Sequence, residues 1–296
     1  MISLLCVFLF SFSLLFSSDL VFFWLLLELV SLSLIPSFFY TYGGVSFYTL
    51  FIYIVVSSLS SSFMLLGIID SGLIPFFVLG YLMKFGLFPF FGWVYSVVLG
   101  SNALVIWLLS TFVKVPFVYI CFFLGGFFSS SYFVAVVASV VTFLVLSIFF
   151  WVYNYSWRCC WTHMMISSSC IIVVMSFNIS LNLLVWFFFV YLIWCTFTLL
   201  FLFFCESCGF ILSTAFLSNS GQFGIFFWFG FIFLLLSTPI SFSLFYKVFI
   251  SCCIYSCGWV FIIFWVIYSL SEQFFFIKYL LSSFICKFSF NWFFII

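Results

Sequence analysis

Charge is what this sequence lacks. Of its 296 residues, six are Lys or Arg, five are Asp or Glu and one is His, so charged residues make up 4%. A soluble domain carries about a quarter charged residues, and no globular surface can be built from this composition. No polar stretch is long enough for a soluble domain, so one transmembrane domain is expected over residues 1–296. With a net charge of +1 there is no basic patch, which excludes a nucleic-acid partner. No glycine-rich nucleotide turn and no four-cysteine cluster-ligand set is present, so no cofactor is expected on the chain. A charged leader is also missing. The first apolar stretch, Ile2 to Phe16, is followed at once by another and reads as a retained span rather than a cleaved signal.

What is present is apolar. Hydrophobic residues reach 69%, and Phe alone supplies 56. Lipid chemistry does not demand Phe over Leu, Ile or Val. The enriched residues share thymine-rich codons while Ala, Pro, Gln and Lys are scarce, which points to a T-biased gene of the organellar kind. Balanced third-codon positions would refute that. The twelve cysteines resemble a disulfide or metal count. However, Cys159-Cys160 and Cys252-Cys253 are adjacent pairs, and Cys205-Glu-Ser-Cys208 has no second pair or nearby His. Cysteine is expected here as a small apolar residue, with no metal site.

Breaks fall where Gly, Pro, Asn, Ser or charge cluster. They divide the chain into spans at about 2–17, 20–40, 46–69, 73–99, 103–124, 131–153, 161–177, 180–204, 211–251, 253–270 and 274–296. The runs are apolar on every face, as helices in lipid are and barrel strands are not. The expected fold is therefore an all-α polytopic membrane protein of about 10–11 transmembrane helices. Asn154 to Arg158 reads as a loop and Glu272-Gln273 as a break between the last two spans. Arg158 is the one clear loop charge, so the positive-inside rule assigns no orientation.

Against that background a few charges stand in the wrong place. Glu28 follows Asp19 by nine residues, about 13 Å along a helix. Lys84 follows Asp70 by fourteen, about 21 Å. Lys114 sits near the centre of the span after Asn102, and Lys247 lies in the long segment 211–251. Each costs roughly 2.5–3.5 kcal/mol at the centre of an isolated helix, so four approach about 10 kcal/mol. Snorkelling to the headgroups explains Lys278 and Lys287, and at sequence level it explains Lys247 equally well. It does not suit Glu28, whose stem is short. For Glu28, Lys84 and Lys114 a functional role is the stronger reading.

Proline supports it. Pro89, five residues after Lys84, leaves the carbonyl of Phe85 without its helical N–H, and Pro239 does the same to Leu235 eight residues before Lys247. Interrupted helices persist at membrane depth where the freed groups face protein or a watered cavity. Burial disfavours a charged ammonium and a nearby carboxylate restores it, so a lysine of this kind is a two-state proton carrier. Ser57 to Ser62 and Thr111 are candidate linkers, although such residues more often bond their own helix carbonyls. His163 is the single histidine, and its nearness to Arg158 makes an interfacial structural role as good as a titrating one.

These residues together resemble a known family. Phe23-Trp-Leu-Leu-Leu-Glu28 with Leu34-Ile-Pro36 is similar to the W-x-x-L-E…I-P stretch of the chain 2 family of NADH:ubiquinone oxidoreductase, antiporter-like membrane subunits of respiratory complex I. Met83-Lys84-Phe-Gly-Leu-Phe-Pro89-Phe-Phe-Gly-Trp93-Val resembles its M-K-x-G-x-x-P-F-x-x-W-V signature. Leu108-Leu-Ser-Thr-Phe-Val-Lys114-Val-Pro116 resembles its L-L-x-T-x-x-K-x-x-P region, and Leu236-Ser-Thr-Pro239…Lys247 its second interrupted helix, although Ser-Thr-Pro-Ile replaces a G-G-x-P-P core.

The resemblance implies two interrupted helices in an antiporter-like fold lacking the first three helices of the bacterial form. It implies that Glu28 pairs with Lys84, that Lys114 relays protons on the central axis and that Lys247 stands near the proton exit or the link to the neighbouring subunit. It further implies a mitochondrial inner-membrane subunit surrounded by other membrane-arm subunits, lipids, protons and internal water. NADH, FMN, Fe–S clusters and ubiquinone would bind those other subunits. A stand-alone cation/proton antiporter is the competing reading, and a purely structural spacer the blandest.

Overall fold

In a computed structural model, the backbone is described for residues 2–17, 19–40, 47–115, 129–208 and 222–292, and the side chains of residues 71, 129–131, 181, 222–225 and 282–292 are left aside. Every regular element among these residues is helical. The helices are α1 (Ile2–Ser13), α2 (Leu20–Leu34), α3 (Phe47–Ile69), α4 (Ile74–Phe85), α5 (Gly92–Gly100) and α6 (Ala103–Ser110). They continue as α7 (Ser129–Val152), α8 (Trp157–Asn178), α9 (Leu181–Ser207), α10 (Gln222–Gly230), α11 (Phe242–Ile254) and α12 (Trp259–Trp292). Short 3-10 turns extend α1, α2 and α11, and a π turn at Phe231–Leu235 closes α10.

Among the described residues, six helices are long and apolar enough to cross a membrane: Leu20–Phe39, Phe47–Ile69, Tyr132–Val152, Trp157–Asn178, Asn182–Ser207 and Trp259–Leu281. Shorter apolar helices stand between them, so the chain is a multi-pass, all-α membrane protein as its composition requires. Apolar side chains cover its outside, among them Leu9, Phe51, Ile148, Trp186 and Ile263. A surface of that kind is stable only in lipid.

Chain breaks coincide with caps. Asn102 Oδ1 accepts the N–H of Val105 at 2.9 Å, Ser156 Oγ that of Cys159 at 3.2 Å, and Ser241 Oγ that of Leu244 at 3.1 Å. Each satisfies a donor that the first turn would otherwise leave bare.

Helix α8 is the centre of the fold. Nearly every side chain from Trp157 to Ser176 is buried, whereas α2, α3 and α12 each turn a face outward. On one side of α8, α3 packs closely against α4, and on the other α12 packs against α7. At Gly80 of α4 an added Cβ would lie 2.5 Å from the carbonyl oxygen of Ser60, so only glycine allows α4 this close to α3. That approach brings Lys84 onto the serine face of α3.

Three features differ from the sequence expectation. Glu272-Gln273 is no break: α12 runs through it without interruption. The reason is tertiary, because both side chains find polar partners inside the protein. Asn154 to Arg158 is shorter as a loop than expected, with Arg158 already in the first turn of α8. The span at 103–124 is interrupted at Thr111, whose φ of −111° and ψ of −83° end α6 three residues before Lys114. Its second half, like residues 209–221 of the long segment, lies outside the described residues.

Candidate functional site

The first interrupted helix is α4 and α5. Gly86 closes α4 with a φ of 65°, a left-handed cap that a side chain would strain. Leu87 N donates to Leu82 O at 3.0 Å, and Trp93 Nε1 donates to Met83 O at 2.9 Å. Indole and backbone N–H groups thus take up carbonyls that the broken helix frees. Lys84 stands in the last turn of α4. The negative end of the helix dipole favours a cation there.

Lys84 Nζ donates to Ser57 Oγ at 3.0 Å. One helical turn along α3, Ser61 Oγ makes a short hydrogen bond to Glu28 Oε1, and Ser31 Oγ donates to Glu28 Oε2 at 2.8 Å. Glu28 and Lys84 make no direct ion pair, so the pairing that the resemblance implies is not a direct contact. Two serines of α3 stand between the charges. Of the serine run, Ser57 and Ser61 meet the charges. Ser58, Ser60 and Ser62 donate to backbone carbonyls of their own helix, as does Thr111.

Lys114 is the most enclosed of the four, with 3% of its surface exposed. Nζ donates to Met165 O at 2.8 Å, to Ser168 Oγ at 2.8 Å and to Tyr191 OH at 3.0 Å. Three donors meet three acceptors, so the ammonium is fully satisfied without a carboxylate. Tyr191 OH in turn donates to Ser110 O at 2.8 Å, and Trp161 Nε1 donates to Ser110 Oγ at 3.0 Å. The shell around Lys114 is therefore anchored by α6, α8 and α9 together.

The second interrupted helix is α10, its π turn, and α11. Residues 236–241 between them are not helical, so Ser-Thr-Pro-Ile unwinds as the resemblance implies. Lys247 lies in the second turn of α11, and its Nζ is 2.9 Å from Glu272 Oε1 on α12. The ammonium has no well-aligned hydrogen bond, so the attraction is coulombic. Side-chain exposures of 16% and 7% place the pair inside the protein, which removes snorkelling as an account of Lys247. Lys278 is exposed and lies 5.3 Å from the ring of Trp151, a cation–π contact at the protein surface. The side chain of Lys287 lies outside the described residues.

Two cavities join these stations. One, of about 30 Å³, is bordered by Ser57, Lys84, Lys114 and Ser169. The other, also about 30 Å³, is bordered by Ser168, Tyr246, Lys247, Tyr268 and Glu272. About 10–15 Å³ of such space holds a water, so each has room for about two. Tyr246 OH and Tyr268 OH line the second cavity without a protein partner, a polar lining that favours water over an empty void. Ser167, Ser168 and Ser169 of α8 border the two cavities between them.

A single polar axis results: Glu28, Ser61, Ser57, Lys84, first cavity, Lys114, Ser168, second cavity, Lys247, Glu272. The four sequence-derived residues all lie on it. Sequence reasoning missed Glu272, Tyr191, Ser168 and Gln273. Glu272 was legible in principle, since it stands thirteen residues into the apolar run from Trp259, about 20 Å along a helix.

His163 is off this axis. It is fully buried, with Tyr95 OH 2.5 Å from Nδ1, Cys159 Sγ 3.7 Å from Nε2 and the ring of Phe150 at 4.8 Å. The histidine is thus enclosed by protein rather than exposed on its surface. Arg158 pairs with Glu206 at 2.9 Å, and its Nη1 donates to Ser101 O at 2.6 Å, tying the ends of α5, α8 and α9 together. Among the described residues, no group of three or more His, Cys, Asp or Glu could hold a metal ion.

No family model matches the sequence, and no curated protein does. Solved structures do resemble the fold. A chain of the Mrp complex from Dietzia sp. DQ12-45-1b is similar at 16% identity, with a TM-score of 0.74 over 94% of this chain and 59% of that one. A chain of respiratory complex I from Thermus thermophilus, solved with bound aureothin, is similar at 14% identity, TM-score 0.65, over 88% of this chain and 64% of that one. A chain of the membrane-bound sulfane sulfur reductase, an archaeal respiratory membrane complex, is similar at 13% identity, TM-score 0.67, over 86% and 60%. The chain thus has the antiporter-like helical fold found in these membrane complexes and spans about three fifths of the length of the chains it matches.

Proposed function

We propose that this chain is a proton-translocating membrane subunit of a redox-driven complex, of the chain 2 kind in NADH:ubiquinone oxidoreductase. The observation that supports the reading is the succession of lysines, serines and cavities from Glu28 to Glu272. Fold similarity to a respiratory complex I chain and to a second respiratory membrane complex supports membership of an oxidoreductase assembly. NADH, FMN, Fe–S clusters and ubiquinone are assigned to other subunits, and the partners to neighbouring membrane-arm subunits. The T-rich residue usage supports a mitochondrial inner-membrane home.

The chemistry follows from the donors. A charged Lys114 satisfies all three N–H groups within the protein. A neutral Lys114 keeps a lone pair that can accept from water in the first cavity. Proton movement from Lys84 to Lys114 through that water exchanges which lysine is charged, and Ser168 with the second cavity continues the route to Lys247. A redox event elsewhere acts at the Glu28 end, where a displaced carboxylate changes how well Lys84 holds its proton. Replacing Lys84 by Ala or Glu28 by Gln in the reconstituted complex tests this. Loss of pumping with normal assembly is expected, and full pumping refutes the relay.

A stand-alone cation/proton antiporter remains the second reading, favoured by one observation: Glu272 adds a buried carboxylate to the half-buried Glu28. Na⁺/H⁺ exchange by the full chain, purified alone and placed in vesicles, would establish it.

A further inference from the structure

One side chain holds the second break. Pro239 has no N–H to offer the carbonyl of Leu235, and Gln273 Nε2 donates to that carbonyl at 3.2 Å. On its other side, Gln273 Oε1 accepts from Ser237 N and from Ser237 Oγ, both at 2.9 Å. The carboxamide therefore stands in for the peptide group that the break removes, one donor and one acceptor spanning Leu235 to Ser237. Donors face one end and acceptors the other, so the network itself identifies which end is nitrogen.

The second amide proton goes elsewhere. Gln273 Nε2 also donates to Glu272 Oε1 at 3.2 Å, the same oxygen that lies 2.9 Å from Lys247 Nζ. One carboxylate oxygen is thus shared between the ammonium on α11 and the carboxamide that bridges the break. We infer that Gln273 is a positioning residue that transmits the charge of the Lys247–Glu272 pair to the unwound residues 236–241.

The physical route is short. A charged Lys247 draws the Glu272 carboxylate into the position where its oxygen also fixes Gln273 Nε2. Once Lys247 is neutral, the carboxylate has no cation to hold it there, and the carboxamide loses one of its anchors. Ser237 N–H and Leu235 C=O are then held by a side chain free to turn. A charge-assisted hydrogen bond is stronger and more directional than a neutral one, so the difference is felt at the break. Unwinding at 236–241 thereby becomes sensitive to the proton on Lys247. The inference rests on the proposal that Lys247 carries a proton, and its test is independent of transport.

The measurement is backbone hydrogen exchange of the segment 234–242, made by mass spectrometry on the full chain in its native membrane complex. Lys247→Met and Glu272→Gln are each expected to speed exchange at 236–241 by about five- to tenfold, the effect of weakening one hydrogen bond. Lys247→Arg, which keeps the cation, is expected to exchange as the native chain does. Gln273→Leu should match or exceed the two charge variants. Native exchange in both Lys247→Met and Glu272→Gln overturns the inference, because Gln273 is then a static cap. Proton pumping by the same preparations judges the carrier role of Lys247 separately. Unimpaired pumping in Lys247→Met defeats that role whatever the exchange rates are.

Discussion

The two interrupted helices solve one problem, a cation inside a membrane, by different means. In the first, Lys84 occupies the last turn of α4, where the negative end of the helix dipole already favours positive charge. Its carboxylate partner can then stand off, with Ser57 and Ser61 between. In the second, Lys247 is midway along α11, out of reach of any terminal carbonyl, and takes a carboxylate directly at 2.9 Å. Lys114 lies between these extremes, near a helix break but satisfied by three neutral acceptors. The lesson is that position on a broken helix decides how much counter-charge a buried lysine requires.

Substitutions at these lysines and their partners separate the two arrangements. Lys114→Met interrupts the axis where the two halves meet and is expected to lower pumping by about 10²- to 10⁴-fold, the range for removing a proton-transfer group. Proton uptake by vesicles carrying the assembled complex reads it out. Glu272→Ala strands Lys247 and should destabilise the fold by about 3–5 kcal/mol, whereas Lys247→Met with Glu272→Met should leave stability nearly unchanged. Thermal unfolding in detergent separates them. Equal stability of the single and double variants would refute a direct pair.

Gly80→Ala pushes α4 from α3 and is expected to cost about 1–3 kcal/mol, as overpacking does. It should also reduce pumping by parting Lys84 from Ser57. Ser57→Ala removes one hydrogen bond to a charged group, about 1.5–3 kcal/mol at most, and should slow pumping less than Lys114→Met does. Smallest of all, Glu206→Gln breaks a half-exposed pair with Arg158 and should change stability by under about 1 kcal/mol. A larger loss there would mean that the ends of α5, α8 and α9 matter to the axis.

Much of the candidate site is legible in the sequence. Glu28, Lys84 and Lys114 betrayed themselves by depth, because charge at mid-membrane is too costly to keep without partners. Lys247 was ambiguous, since depth could not be read inside a segment of uncertain boundaries. Glu272 and Gln273 were misread as a break for an instructive reason. Two adjacent polar residues end a span when they face lipid, and they interrupt nothing when each is paired within the protein. For His163 the neighbour Arg158 leaves a titrating and an interfacial structural role equally open, and only the packing of Tyr95 and Phe150 around it shows that it is enclosed.

By itself the sequence determined membrane residence, helical class and the residues whose burial would need compensation. These follow from composition and from the cost of placing charge in hydrocarbon, which no fold can alter. Only the tertiary structure decided how the compensation is made. Serines, a tyrosine, a glutamate and a glutamine from helices far apart in the chain converge on the lysines through packing around α8. Hydrogen bonds act over about 3 Å, and nothing in linear spacing specifies which distant side chain comes within that reach.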